Sequence, residues 1–166
     1  MTSTFGTTVK VSIFGESHAP KIGCTIEGFP AGFSIDLAAL KTFLQRRSPS
    51  HPWDTPRKET DDPLFVSGIS AEGILDGSPL TAELPNANVR PQDYAATKLV
   101  PRPGHADFSA WAKWGESYKQ TGGGHFSARL TAPLCIAGGI ALQILQAQGI
   151  TIAAHVLKIK NISDTP

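Results

Sequence analysis

Charge is scarce in this chain of 166 residues: Asp, Glu, Lys and Arg together make up 17% and the formal net charge is +1. No overall field draws such a protein onto nucleic acid or an acidic membrane, so any recognition of anions has to be local. Cysteine is scarcer still. Cys24 and Cys135 stand far apart, in neither a CxxC pair nor a Cys/His spacing that holds zinc. They read as small buried apolar residues in a reduced, cytosolic setting. The opening MTSTFGTTVKVSIFG lacks a basic region followed by an apolar run and a cleavage site, so no secretory signal is expected. Leu130 to Leu157 carries no Asp, Glu, Lys or Arg, yet Pro133, three Gln, His155 and several Gly interrupt it. That pattern describes a buried helix followed by a strand rather than a membrane span.

Apolar residues are plentiful at 40%, enough to give residues 1–166 one domain with a real core. The 16 glycines and 13 prolines are dispersed among apolar segments, where they mark turns and close backbone approaches. Polar–apolar alternation predicts strands over Thr8–Phe14 and Ile22–Phe29, joined through the loop GESHAPK. Ser34 or Asp36 can cap a helix with Leu37, Leu40, Phe43 and Leu44 on one face, ending in Arg46 and Arg47. Ser48–Asp62 is polar, proline-rich and aperiodic, the pattern of a long loop of the kind that carries function. Short apolar runs at Leu64–Ile69, Gly73–Leu75 and Pro79–Leu84 predict further antiparallel strands, and Pro85–Gly104 is again loop-like. A short helix is expected over Asp107–Trp114, a long apolar one over Ser127–Gln148, and a final strand over Ile150–Ile159. This order of elements predicts an α+β fold of antiparallel sheet layers packed with helices.

Three segments place titratable or anion-binding groups beside glycine: Gly15-Glu16-Ser17-His18, Arg102-Pro103-Gly104-His105-Ala106-Asp107, and Gly122 to Arg129 at a helix start. A glycine-rich approach to a helix N-terminus offers free N–H groups and a favourable dipole to phosphate or carboxylate. Ser127 can cap that helix and Arg129 can add charge, although the motif alone equally describes an ordinary helix start. It is not a P-loop, since no Gly-Lys-Ser/Thr follows. All six arginines, Arg46, Arg47, Arg57, Arg90, Arg102 and Arg129, lie in or beside loops or element ends. Guanidinium forks suit phosphate and carboxylate, so a small polyanion is the partner they predict. His18 and His105 are candidates for proton transfer because imidazole titrates near neutral pH. Neither they nor His51, His125 and His155 form a pair with metal-ligand spacing.

GESHAPKIGCTIEGFPAG is similar to the first signature of the chorismate synthase family. RRSP, TPRKETDD, SGISAEGILDGSPL, PNANVRPQDY, RPGHADFSAWAKWG, GGGHFSARLTAPLCIAGGIA and GITIAAHV follow in family order with family-like spacing. The chain thus resembles the N-terminal half of that family, whose members are roughly twice as long. The resemblance implies a β-α-β sandwich, a cytoplasmic homotetramer, and an anti-1,4-elimination that converts 5-enolpyruvylshikimate 3-phosphate into chorismate and inorganic phosphate. It also implies reduced FMN as cofactor, with no net redox change. His18 would protonate the departing phosphate with help from Ser17. His105 would lie near the flavin, Arg47, Arg57, Arg102 and Arg129 would line the substrate pocket, and Ser127 and Arg129 would join His105 in holding the cofactor. No nucleic acid, membrane or metal enters. Further flavin contacts and a proton-accepting aspartate belong to the family's second half. The alternative is therefore a non-catalytic member that binds flavin or polyanion weakly or serves only in assembly.

Family members usually have Gly-Gly-Gly-Arg-Ser-Ser-Ala-Arg-Glu-Thr where this chain reads GGGHFSARLT. His125, Phe126 and Leu130 thus replace an arginine, a serine and a glutamate, and the last change removes a capping box.

Overall fold

A computed structural model describes residues 2–55, 57–89, 100–118 and 122–165. Arg90, the second half of the PNANVRPQDY motif and the middle of the predicted Pro85–Gly104 loop lie outside the described residues. Strands β1 (Thr2–Phe5), β2 (Lys10–Gly15), β3 (Lys21–Glu27), β4 (Leu64–Ser67) and β5 (Leu80–Pro85) form one antiparallel sheet in the order β1-β2-β3-β5-β4. Register sets Val11 against Ile26, Ile13 against Cys24, Ile22 against Leu84 and Cys24 against Ala82. Every second residue therefore falls on one face, and that face is the core: Ile22, Cys24, Ile26, Leu80, Ala82 and Leu84 are all buried. The opposite face carries Lys21 and Glu83, paired at 2.6 Å, and Thr25 against Thr81.

Helix α1 (Leu37–Gln45) and helix α3 (Thr131–Gln146) cover the core face. Asp36 caps α1, its carboxylate accepting from Ala39 N–H at 2.8 Å. The same residue is held to α3 by Gln143, which accepts from the Asp36 N–H at 2.8 Å and donates to its carbonyl at 3.0 Å. Leu40 and Leu44 are buried, each contributing about 1.5–3 kcal/mol of apolar burial. Gly139 permits the close approach of the two helices, because a Cβ there would meet Leu40 Cδ1 at 2.6 Å and Phe43 Cδ1 at 2.8 Å. Helix α2 (Asp107–Trp114) packs outside this core.

The α+β architecture with an antiparallel sheet is as expected. Several local expectations are corrected. The long helix does not begin at Ser127: two single 3₁₀ turns, Gly124–Phe126 and Ala128–Leu130, precede α3, and Ser127 caps the second of them, not the helix. Gly73–Leu75 contributes only isolated bridges, Ser34 with Ile74 and Ile69 with Leu75. The expected strand over Ile150–Ile159 is absent across residues 150–157; only Lys158–Ile159 (β6) pairs, with Ile162–Ser163 (β7). A strand forms where a neighbour accepts its backbone hydrogen bonds, and residues 150–157 are exposed throughout with no such neighbour among the described residues. Nor is α3 buried all round. The stretch Ala128–Gln146 is long and apolar enough to cross a membrane, but one face packs on the sheet and on α1, while Leu134 is 41% exposed.

Candidate functional site

The first motif sits in the turn between β2 and β3. Gly15 opens it at φ +93°, with no room for a side chain because a Cβ would lie 2.7 Å from the Lys21 carbonyl. Ala19 N–H closes the turn on the Glu16 carbonyl at 3.1 Å. Asn86, just past β5, ties this turn down: its Nδ2 donates to the carbonyls of Ala19 at 2.7 Å and Glu16 at 3.2 Å, and its N–H to that of Pro20 at 2.9 Å. Its Oδ1 accepts from Arg129 Nε at 3.0 Å, so one amide couples the first motif to the third. Ser17 N–H donates to the Gly124 carbonyl at 3.0 Å. Its Oγ is buried and has no hydrogen-bond partner among the described residues. His18 is half-buried in the same turn.

The arginines at the end of α1 and before α3 converge on one buried carboxylate. Asp61 accepts from Arg47 Nη1 on one oxygen and from Arg129 Nη1 on the other. It adopts φ +51°, a left-handed conformation that Asp tolerates better than most residues and that surrounding structure has to enforce. Arg57 donates through Nε to Glu59 at 2.9 Å. Glu59 also accepts from the N–H groups of Ala87 at 2.9 Å and Asn88 at 3.2 Å. Burial acts to raise the Glu59 pKa, but the Ala87 N–H, the Arg57 guanidinium and the Asn88 N–H outweigh it and leave the pKa lowered.

Arg47, Arg57, Glu59, Asp61, Ser127 and Arg129 line a cavity of about 330 Å³, together with Pro49, Thr55, Ala128 and Thr131. Three guanidiniums and two carboxylates leave that wall one net positive charge. Arg57 Nη2 and Arg129 Nη2 are buried without a hydrogen-bond partner among the described residues. The first touches Glu59 at 2.8 Å as an ion pair but at an angle that makes no hydrogen bond. Buried guanidinium donors left in this state favour an acceptor entering the cavity, and an oxyanion is the acceptor with matching charge.

The second motif forms a separate cluster. Asp107, 1% exposed at the start of α2, accepts from Arg102 Nε at 2.7 Å, Arg102 Nη2 at 2.9 Å, His105 Nδ1 at 2.7 Å and the Tyr118 hydroxyl at 2.8 Å. The Arg102 guanidinium foremost holds the Asp107 carboxyl far below the usual carboxylate range, while burial opposes it. Burial, then the Asp107 charge, pushes the Tyr118 phenol up to about 12. Arg102 Nη2 also donates to the Gly122 carbonyl at 2.6 Å, which joins this cluster to the third motif. Phe126 lies among the rings of His105, Trp114, Tyr118 and His125 at centroid distances of 5.9–6.4 Å.

The expected site residues are therefore divided. Arg47, Arg57, Arg129 and Ser127 share the cavity wall, whereas Arg102 and His105 belong to the Asp107 cluster, and Ser17 and His18 to the turn that Asn86 braces. Among the described residues, the wall includes neither His18 nor His105. His125 is not an anion ligand. Its Nδ1 donates to the Gly15 carbonyl at 2.9 Å and its Nε2 meets Ser3 Oγ at 2.8 Å, so its ring fastens β1 and the first motif to the third. Sequence reasoning missed Glu59, Asp61, Asn86, Asp107 and Tyr118. For the acids a signal was present, since each stands within a few residues of an arginine in a loop.

A family model described as chorismate synthase matches residues 9–165. A chorismate synthase of Lancefieldella parvula is 90% identical over 166 residues, covering all of this chain and 44% of the relative. One from Chitinophaga pinensis is 40% identical over 162 residues, covering 98% of this chain and 48% of its own. A solved structure described as a crystal structure of chorismate synthase aligns with a TM-score of 0.60 at 21% identity, over 86% of this chain and 35% of that one. The chain spans less than half the length of the curated relatives it matches.

Proposed function

Since the chain belongs to the chorismate synthase family, we propose that it carries the anion-binding part of a site that eliminates phosphate from 5-enolpyruvylshikimate 3-phosphate to give chorismate. The observation that supports this most is the cavity in which Arg57 Nη2 and Arg129 Nη2, beside Arg47, are buried without a hydrogen-bond partner among the described residues. The substrate carries two carboxylates and a phosphate, and reduced FMN carries a phosphate, so either supplies the acceptors that these donors lack. The wall's small net charge is an advantage here. Asp61 and Glu59 hold the guanidinium forks in place, so a ligand meets donors that are already oriented.

In this reading Arg47, Arg57 and Arg129 bind oxyanions, and Arg102 orients the His105 cluster. Elimination removes one proton and one phosphate from the substrate, the proton passing to the aspartate that the resemblance assigns to the family's second half. His18 delivers a proton to the departing phosphate, with Ser17 beside it as a hydroxyl relay. Ser127 and Arg129 in the cavity wall would hold reduced FMN through its phosphate, and His105 would be the third residue to serve it; the chemistry it would supply when bound is transient electron donation without net oxidation. Removing one oxyanion donor from such a site costs about 3 kcal/mol of transition-state stabilisation. A cytosolic homotetramer belongs to the same reading, and the unpaired Cys24 and Cys135 suit a reduced compartment.

One observation favours a second reading, a binding module without turnover: His125 is committed to Ser3 and Gly15 and so is not available to a ligand. Anaerobic incubation with substrate and reduced FMN, following chorismate and released phosphate, separates the two. Product above background supports the enzyme. Calorimetric binding of FMN or substrate without product supports the module, and neither binding nor product refutes both.

A further inference from the structure

We propose that Asp107 is a positioning residue that fixes the proton of the neutral His105 ring on Nδ1 and so presents Nε2 as the reacting nitrogen. The inference deepens the reading of His105 as a proton-handling group and rests on it for its functional meaning. Asp107 is 1% exposed and ionised, and a carboxylate only accepts hydrogen bonds, so the His105 Nδ1 that lies 2.7 Å from its Oδ1 has to carry a hydrogen. Arg102 Nη2, 3.2 Å from the same Nδ1, has no acceptor there; its hydrogens are engaged by Asp107 Oδ1 at 2.9 Å and the Gly122 carbonyl at 2.6 Å. Nε2 makes no hydrogen bond among the described residues, and the side chain is 25% exposed.

The remaining partners hold Asp107 still. Arg102 donates to it through Nε, Nη2 and its own backbone N–H, and the Tyr118 hydroxyl donates at 2.8 Å to the same Oδ1 that receives His105. Arg102 and Asp107 offset one another's charge within the cluster. The pairing of Asp107 with His105 is the second-group logic by which a carboxylate selects a histidine tautomer in acid–base sites. Gly104 at φ +75° turns the chain so that His105 and Asp107, two residues apart, face one another.

Long-range proton–nitrogen NMR on the full chain with ¹⁵N-labelled histidine tests this, with Nδ1 and Nε2 distinguished by their coupling patterns and His105 assigned by loss of its signals in His105→Gln. The expected result for the neutral ring is a protonated Nδ1 and a bare Nε2. Asp107→Asn should convert it wholly or partly to the Nε2–H form, because the amide NH₂ can donate to Nδ1; Tyr118→Phe should leave Nδ1–H unchanged. A wild-type ring protonated on Nε2, or an Asp107→Asn ring still fully Nδ1–H, overturns the proposal. If Asp107→Asn does not fold, the wild-type spectrum still decides it. No turnover is needed, so failure here is distinct from failure of the proposed activity.

Discussion

Replacing Asp61 with asparagine keeps its shape and removes one charge from the junction of Arg47 and Arg129. The Asp61 side chain is 3% exposed and that of Arg129 5%, so neither charge can be rehydrated in place. An amide accepts from one arginine with its oxygen but turns NH₂ toward the other. Breaking a buried ion pair from one side costs about 3–5 kcal/mol. Arg47, whose side chain is 23% exposed, regains some hydration, and Arg129 keeps its bond to Asn86 at 3.0 Å, which places the expected loss near 3 kcal/mol. For a domain of this size that lowers Tm by about 6–12 °C. Circular dichroism during heating and urea unfolding measures both quantities. Inorganic phosphate adds a second arm. It can supply the missing negative charge, and at a hundred times its Kd it restores about 2.7 kcal/mol. Asp61→Asn should therefore gain more Tm from phosphate than wild type does, at ionic strength matched with chloride. A loss under about 1 kcal/mol, or equal phosphate stabilisation of both proteins, refutes the account of Asp61 as the counter-ion of the cavity.

Asp107 and Glu59 have folded-state pKa values below their unfolded ones, so the stability they contribute is present above the unfolded value, about pH 4, and is lost as pH falls through it toward the folded value. Urea midpoints should be level from pH 7 to 5 and drop steeply below about pH 4; Asp107→Asn should flatten that drop, and an unchanged slope contradicts the assignment. Burial raises the Cys24 thiol from 9.0 to about 12, which cuts its thiolate fraction about a thousandfold; iodoacetamide at pH 8 followed by mass spectrometry should find Cys24 unmodified in the folded chain and alkylated in urea. Ile152 and Val156 are 59% and 65% exposed, so Ile152→Lys with Val156→Lys should lower dye binding and self-association seen by light scattering. The same pair should change unfolding free energy by no more than about 0.5 kcal/mol per site.

The sheet was legible because its code is local. Val11, Ile22, Cys24, Ile26 and Leu80 alternate with polar or small residues, and a period of two has only one way to face a core. Asp36 and the Leu40–Leu44 spacing announced α1 for the same reason, as did the short helix at Asp107–Trp114. β1 escaped notice because TSTF is exposed at a sheet edge and is held by pairing with β2 and by Ser3 on His125, neither of which its own residues report. The segment 150–157 failed in the other direction: its alternation is that of a strand, but alternation supplies no hydrogen-bonding neighbour. In the site, the arginines and histidines were found as residue types at motif positions. Which of them meet depended on Asp61, Asn86 and Asp107, whose partners lie up to 70 residues away or in a loop of no periodicity.

By itself, then, the sequence determined the family, the antiparallel α+β class, the core face of the sheet and the set of groups able to bind anions or move protons. These follow from periodicity, capping and residue chemistry, which act over a few positions of chain. Only the tertiary structure decided that three arginines would share one cavity with two carboxylates, that His105 would be tied to Asp107, and that His125 would serve as a fastening rather than a ligand. Those outcomes depend on distances between segments remote in sequence, and a buried charge is set by whichever partner the fold brings within hydrogen-bonding reach.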